Sequence, residues 1–497
     1  MKRELVLLIP LAWFGCAAGQ ASDAASEGEP EGSNAVIQSG PQDIGEYRSI
    51  VDAGGIPATE VLDERGFFAE HKIDLPEANC GASVCVHPML AVAPRFDGGN
   101  WSMAFVGMNT ALDARTLPTK PRHLVLVGRL SSEIADIVQS TLDSDDLVSV
   151  VTVAEEVRVP VRGEGVDALS DLLVALQTSD SHAELYSGLA AALEILRDDS
   201  FADYAGRVLV FGGDAGLGPS ETLEPYKDIA AAFAGLQVPV TVFVNEPDDV
   251  SHVLTDLTWG NHYFVQGSQD LENALRAEAE TAFVPIARNL TVTVEAAPGY
   301  GVGDIYGAPL ATSDGKVAVL KSPVAYIGAR SASDDFEAGR RGGGGGWFVE
   351  LTSDRDPTGN NYEDADAFTL VVEYEDTVSG ESVREETTVV TPLGVGQNPP
   401  PEQPFFSDPE RGKPFMMLNM YLALSTATML ANENRCGSAL TIEPMMTQAW
   451  EIFTALFPDA DIGADFALLK RLNDNIELQC QEPMSRYIDF PASCGYS

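Results

Sequence analysis

The sequence predicts an α/β domain, a mainly parallel sheet with helices on both faces, over residues 121–287. An all-β, sandwich-like module over 288–394 and a helical C-terminal domain over 409–497 follow it. Three observations carry this reading. Continuous apolar runs at His123–Val127, Leu147–Val153, Arg207–Phe211 and Val238–Val244 alternate with helical patterns, as a sheet covered on both faces requires. After Arg288 the pattern changes to strand-like runs with turn residues between them. From Met416 onward, apolar residues return at helical spacing.

Element by element, helices are expected at Ser131–Leu142, Val166–Leu176, Ala183–Leu196, Pro225–Leu236, Val250–Leu257 and Ser268–Ala287. The strand Leu147–Val153 continues through Glu155 and Glu156 into Val157–Val161, and His262–Val265 is a short further strand. In the β module the expected strands are Leu290–Val294, Lys316–Leu320, Trp347–Leu351, Ala367–Tyr374 and Ser382–Val390, with Gly342–Gly346 as a flexible link. Residues 395–408, including Pro399 to Pro401, read as a linker, and 47–120 as an N-terminal segment with β elements. Met416–Ala431, Glu443–Phe457 and Ala464–Ile476 are the C-terminal helices.

Composition narrows the partners. The 497 residues hold 75 acidic and 30 basic side chains, a net charge of −45. A nucleic-acid partner is excluded on that balance, because phosphate binding depends on clustered Lys and Arg. Docking on anionic lipid is disfavoured for the same reason.

The first 19 residues read as a signal peptide. Lys2 and Arg3 precede an apolar run from Leu5 to Phe14, too short to span a bilayer. The run ends in Trp13-Phe14-Gly15-Cys16, which resembles a bacterial lipobox and implies lipidation at Cys16, although Trp13 stands where an aliphatic residue is usual. Ordinary secretion with cleavage within Ala17-Ala18-Gly19 is the alternative. Residues 20–46 are rich in Ser, Gly, Glu and Pro, so they read as a disordered tether, with lipid as the sole membrane anchor. Export implies oxidised cysteines. Cys80 with Cys85 and Cys436 with Cys480 are the candidate pairs, Cys480–Cys494 competing with the second. Cys80, Cys85 and His87 could begin a zinc site, but no second Cys/His pair lies near them.

Three further segments carry a resemblance. They are Asp43–Pro57, in which Tyr47 and Arg48 precede a Gly-Gly-Ile-Pro turn, Gly345–Leu351, and Pro409–Ala431. In this order around the central domain, they resemble a bacterial family of exported von Willebrand factor type A (VWA) proteins. The resemblance spans roughly 43–480 and implies a Rossmann-like VWA domain, a cell-envelope location, and binding rather than catalysis. It implies no known ligand.

VWA domains usually hold a divalent metal at the C-terminal ends of their strands, with an Asp-x-Ser-x-Ser loop, a Thr and a further Asp. Hard Mg²⁺ wants such oxygen ligands. Aligned on this pattern, the positions here are Gly128, Leu130, Ser132, Ala183 and Gly212, so Ser132 alone retains its ligand type. Asp180, Glu184 and Asp214 are the acids near enough to rebuild a displaced site, and a metal-dependent adhesin using them is one alternative. Solvated loop carboxylates are the reading preferred.

Other motifs are weak. Gly212–Gly218 lacks the Lys-Ser/Thr of a phosphate loop, and Asp354–Gly359 opens like a calcium loop but reaches Ala365 where Glu is needed. His71, His87, His123, His182, His252 and His262 show no metal-ligand pairing, and no Gly-x-Ser-x-Gly elbow occurs. An envelope hydrolase is thus the weaker alternative. The expectation is a non-enzymatic envelope protein without cofactor, binding an unknown protein partner at the strand ends of a VWA domain whose metal site has decayed.

Overall fold

In the computed structural model the described residues run from 34 to 480, except 38–39, 72, 113–116, 118–119, 129, 131, 154–155, 166–184, 213–221, 246–248, 281–284, 309–310, 329–345, 354–364 and 401. These described residues form one compact unit. The chain opens with strands β1 (Asn34–Ile37) and β2 (Gly40–Pro41) and helices α1 (Gly45–Asp52) and α2 (Glu64–Ala69). Long strands β3 (Cys85–Pro94) and β4 (Asn100–Thr110) follow.

The α/β domain then runs β5 (Arg122–Gly128), α3 (Ser132–Thr141), β6 (Leu147–Val153), β7 (Val157–Gly165), α4 (Leu185–Leu196), β8 (Ala205–Phe211), α5 (Glu224–Gly235), β9 (Val240–Val244), α6 (Asp249–Thr258), β10 (Asn261–Phe264) and α7 (Ser268–Glu280). The return to β structure brings β11 (Pro285–Ala296), β12 (Tyr300–Tyr306), β13 (Thr312–Ser313), β14 (Val317–Gly328), β15 (Gly346–Ser353), β16 (Ala365–Asp376), β17 (Ser382–Thr391) and β18 (Phe405–Phe406). Helices α8 (Lys413–Asn432), α9 (Cys436–Ala439), α10 (Ile442–Leu456) and α11 (Ala460–Gln479) close the described chain.

The first sheet has the order β2-β10-β9-β8-β5-β6-β7. Counted along the domain, its six long strands read 3-2-1-4-5-6, the doubly wound Rossmann-like order. β7 alone runs antiparallel, at the edge. Alternation in β5 shows why its sequence is apolar throughout. Val125 and Val127 face the core under α4, α5 and α6, while Leu124 and Leu126 face the core under α3 and α7. Both faces are dry.

The second sheet is antiparallel and folds back on itself. One arm, β18-β3-β4-β15-β12, lies over the other, β14-β11-β16-β17, with β1 joining β4 to β14. Leu90, Ala104 and Val106 share a core with Val292, Val294, Phe368 and Leu370, so a sandwich does form. It is not confined to 288–394, because β1, β3, β4 and β18 belong to it. Residues alternating with these, Met89, Ala91, Met103, Phe105 and Phe348, face a different core shared with the C-terminal helices. The first arm is therefore covered on both faces, by helices on one side and by the second arm on the other. Helix α8 sits inside that helical layer, which explains Phe415, Met416, Met417, Leu418 and Met420 all being buried within one turn and a half.

Several expectations are corrected. The helix from Ser268 ends at Glu280, and Pro285, Ile286 and Ala287 open β11, with Ile286 and Ala287 fully buried in the sandwich. Pro285 has no N–H to give a helix, which favours this outcome. β12 is a strand the sequence does not announce, because two glycines, Gly301 and Gly303, break its pattern. Gly303 is needed there, since a Cβ would press on the Glu350 carboxylate. Gly346, expected as part of a flexible link, is a buried start to β15; 342–345 and the helix expected at Val166–Leu176 lie outside the described residues. Cys80–Cys85 and Cys436–Cys480 are bonded, with Cα separations of 5.7 and 5.8 Å. The second bond overturns Cys480–Cys494 as a pairing.

A strap, residues 40–71, touches all three layers. β2 adds to the first sheet, where Gly40 N donates to Gly260 O at 2.9 Å and Arg65 reaches Asp256 of α6 at 2.8 Å. Phe68 packs edge-on to Phe348 of the sandwich at 5.3 Å. Tyr47 OH meets Thr428 Oγ1 of α8 at 2.7 Å, and Asn475 Nδ2 donates to the carbonyls of Val51 and Gly55 at 2.8 and 2.9 Å. Inside the strap, Glu70 is 2% exposed, takes both amines of Arg48 and accepts from Ile44 N at 3.0 Å.

Replacing one partner of such a buried set strands the others. Glu70→Ala is expected to cost about 3 kcal/mol and Tyr47→Phe about 1 kcal/mol. Urea unfolding checks both; an unchanged midpoint for Glu70→Ala would show that the strap bears no load.

Candidate functional site

The C-terminal ends of β5, β6, β8 and β9 lie side by side, the place where doubly wound sheets offer a crevice. Gly128 is the last residue of β5 and pairs with Thr152 of β6 and Phe211 of β8. Gly212 follows directly and donates its N–H to Phe243 O at 2.9 Å. The structure thus places together Gly128 and Gly212, the two glycines that the sequence reading sets at the aspartate positions of a VWA metal site.

Gly128 is more than a missing carboxylate. Its φ is +125°, and a Cβ would be driven into the Phe211 carbonyl oxygen. That conformation is close to glycine-only, so the backbone itself is shaped to exclude a side chain. Leu130, at the first Ser position, is 2% exposed and packs with Ile134, Ile137 and Val138. It belongs to the hydrocarbon core beneath α3 and α7. Ser132 opens α3. Ala183, Asp180, Glu184 and Asp214 lie outside the described residues. Among the described residues, no three His, Cys, Asp or Glu side chains converge as a metal would need, and Gly128 and Leu130 do not fit the donor set of Mg²⁺.

The opposite end of the sheet is charged but sealed. Glu278 of α7 is 2% exposed and accepts from Thr241 Oγ1 at 2.6 Å, Asn261 Nδ2 at 2.9 Å and Tyr263 OH at 3.0 Å. Arg207 of β8 is buried beside it, its pKa pushed down to about 10 by burial, against the pull of Glu278. Tyr326 of β14 also faces Arg207.

His123 Nε2 lies 2.8 Å from Ser149 Oγ, a spacing that in an open cleft would suit a base and nucleophile. Both residues are fully buried, Ser149 Oγ already accepts from Gly163 N at 2.9 Å, and the imidazole lies against Phe201 at 4.2 Å. No substrate reaches them; the pair is structural. His87 bonds Asn109 at 2.7 Å and His71 meets Asp465 at 3.1 Å inside the helical layer. His182 lies outside the described residues.

No protein-family model matches the sequence, and no curated protein matches it. Solved structures do resemble it. The chain is similar to a von Willebrand factor type A protein from Catenulispora acidiphila, at 12% identity and a TM-score of 0.45, over 78% of this chain and 89% of that one. It is similar to the ArnB paralog VWA2 from Sulfolobus acidocaldarius, at 13% identity and a TM-score of 0.38, over 80% of this chain and 98% of that one. BatB from Bacteroides thetaiotaomicron, a conserved hypothetical protein, is similar at 12% identity and a TM-score of 0.26, over 32% of this chain and 96% of that one. These are likenesses of fold only. The Rossmann-like VWA architecture rests on the sheet order itself.

Two outcomes follow. Gly128→Asp should cost about 3 kcal/mol or more, from left-handed strain and the clash with Phe211; differential scanning calorimetry reads it, and a wild-type Tm would refute the constraint. His123, held down at about 4 by burial with Arg162 adding to it, contributes stability that is complete above pH 6.5 and lost as pH falls through 4. That amounts to about 3 kcal/mol, so urea midpoints should fall more steeply between pH 7 and 4 in the wild type than in His123→Gln.

Proposed function

We propose that this is a non-enzymatic, exported cell-envelope protein, lipidated at Cys16, whose VWA domain binds a protein partner at its strand ends without Mg²⁺. The observation that carries the reading is Gly128: a backbone at φ +125° facing the Phe211 carbonyl leaves no place for the first metal-binding side chain. Leu130 supports it by replacing a hydroxyl with a buried aliphatic group.

Two disulfides within the folded body support an oxidising compartment and hence export. The lipobox-like Cys16 and the acidic segment after it support an anchored body held off a membrane.

A pull-down from envelope extracts, run with and without chelator, tests partner and metal together. The same proteins should be captured in both arms; capture that EDTA abolishes favours the metal-dependent adhesin. Mass spectrometry of the mature N-terminus tests the anchor. A diacylated or triacylated Cys16 is expected, and an unmodified start at Gln20 or Ser22 would contradict it.

A further inference from the structure

The two disulfides have unlike settings. Cys436 and Cys480, 44 positions apart, are joined within the helical layer, where Cys436 is 5% exposed and Cys480 packs against the core at the end of α11. Cys80 and Cys85, 5 positions apart, are joined where the chain enters the sandwich. Cys85, the first residue of β3, is 1% exposed, whereas Cys80 is exposed. Beside Cys80, a Cβ on Gly81 would meet nothing within 4 Å beyond its chain neighbours. This bond therefore runs from solvent inward, with Cys80 Sγ as its outer sulfur.

The inner sulfur is placed to carry charge. Cys80 N donates to Cys85 Sγ at 3.3 Å, so an amide N–H points at the sulfur that attack on the outer one would expel. A donor aimed at sulfur favours the thiolate, and a more stable leaving thiolate speeds exchange.

The loop is held on both flanks by bonds that do not involve the disulfide. Before it, Asn109 Nδ2 of β4 donates to Pro76 O at 2.7 Å, and Ala78 is buried. Within it, Ser83 bonds the Asp376 carboxylate of β16, and the fully buried Val84 donates its N–H to Tyr374 OH at 3.2 Å. From Cys85 onward, β3 is paired with β4. The two cysteines, 5.7 Å apart between Cα atoms, are thus kept close by their surroundings as well as by the S–S bond.

We propose that Cys80–Cys85 is a thiol-exchange site for small aliphatic thiols, with Cys80 as the attacked sulfur and Cys85 as the leaving and resolving one. A thiolate approaches from solvent and bonds Cys80 Sγ. The Cys80–Cys85 bond breaks, its electron pair goes to Cys85 Sγ, and Cys85 takes up the proton the thiol gave up. A second thiolate then attacks the thiol-borne sulfur of the adduct and expels Cys80, which is protonated in turn. Two electrons pass from two thiols to the two cysteines, and the thiols leave as their own disulfide. In the reverse direction, Cys85 thiolate attacks the adduct at Cys80 Sγ and expels the thiol, restoring the bond. The same attack on Cys436–Cys480 would have to enter, or leave a thiolate in, the apolar helical core, which desolvation opposes.

Graded mixtures of reduced and oxidised glutathione, applied to the full chain and followed by acid quench and peptide mapping, test this. Cys80–Cys85 should open at thiol levels that leave Cys436–Cys480 bonded. Opening of Cys436–Cys480 first, or of both together, would overturn the proposal. Cys85→Ser keeps Cys80 as the only cysteine of the loop, and Cys80→Ser keeps Cys85. With oxidised glutathione, the adduct should form on Cys80 of the first variant at least about tenfold faster than on Cys85 of the second. Equal rates, or a faster Cys85, would overturn the assignment of roles. If either variant does not fold, the order in which the wild-type disulfides open decides.

Discussion

The buried carboxylate of Glu70 is the interaction on which the rest of this structure depends. It sits near the end of a strap that contributes a strand edge to the α/β domain, an aromatic face to the sandwich and a helix to the C-terminal layer. Glu70 closes that strap on itself by taking Arg48 and the Ile44 N–H, so that Tyr47 and Val51 are aimed into the helical core. The strap turns at Gly54, whose φ is +86°, and Asn432 of α8 secures the following turn by donating to Pro57 O at 2.9 Å. Each bond is modest alone, worth about 1 kcal/mol or somewhat more with charge. Their value lies in tying all three layers to one short segment of chain.

This arrangement gives the strand ends of the α/β domain their setting. The domain is inserted between β4 and β11 of the sandwich, so its N-terminal strand ends face the sandwich and carry the Arg207–Glu278 network close to Tyr326. The opposite ends carry Gly128 and Gly212. Charge and exposure are thereby separated: the strongest buried electrostatics stabilise the inner end, and the outer end is shaped by glycine and Leu130. The 75 acidic residues do not alter this. None of those described is gathered with two others in a metal's reach.

Much of the fold was legible in the sequence. The α/β strands could be read because parallel strands buried on both faces are apolar without interruption, as in β5 and β9. The C-terminal helices could be read from their spacing, and the Tyr47–Pro57 motif could be noticed without its reason, which is the Thr428, Asn475 and Asn432 contacts. What stayed hidden depends on long-range pairing. β4 pairs with β15, 239 to 249 residues further on, and β3 with β18, 313 to 315 residues further on, and no local pattern announces that. β12 was hidden by glycines that exist for the sake of Glu350 and Thr352. At the candidate site, the sequence showed that Gly128 lacks a ligand; only the backbone shows that it could not have one.

The central claim is that the strand ends of this domain work without a divalent metal. Isothermal titration of the full chain with Mg²⁺ and with Ca²⁺ tests it most directly. The account predicts no saturable heat from either ion. Micromolar binding that disappears in Asp214→Asn would contradict it, because the acids beside Gly212 would then hold the ion that Gly128 cannot.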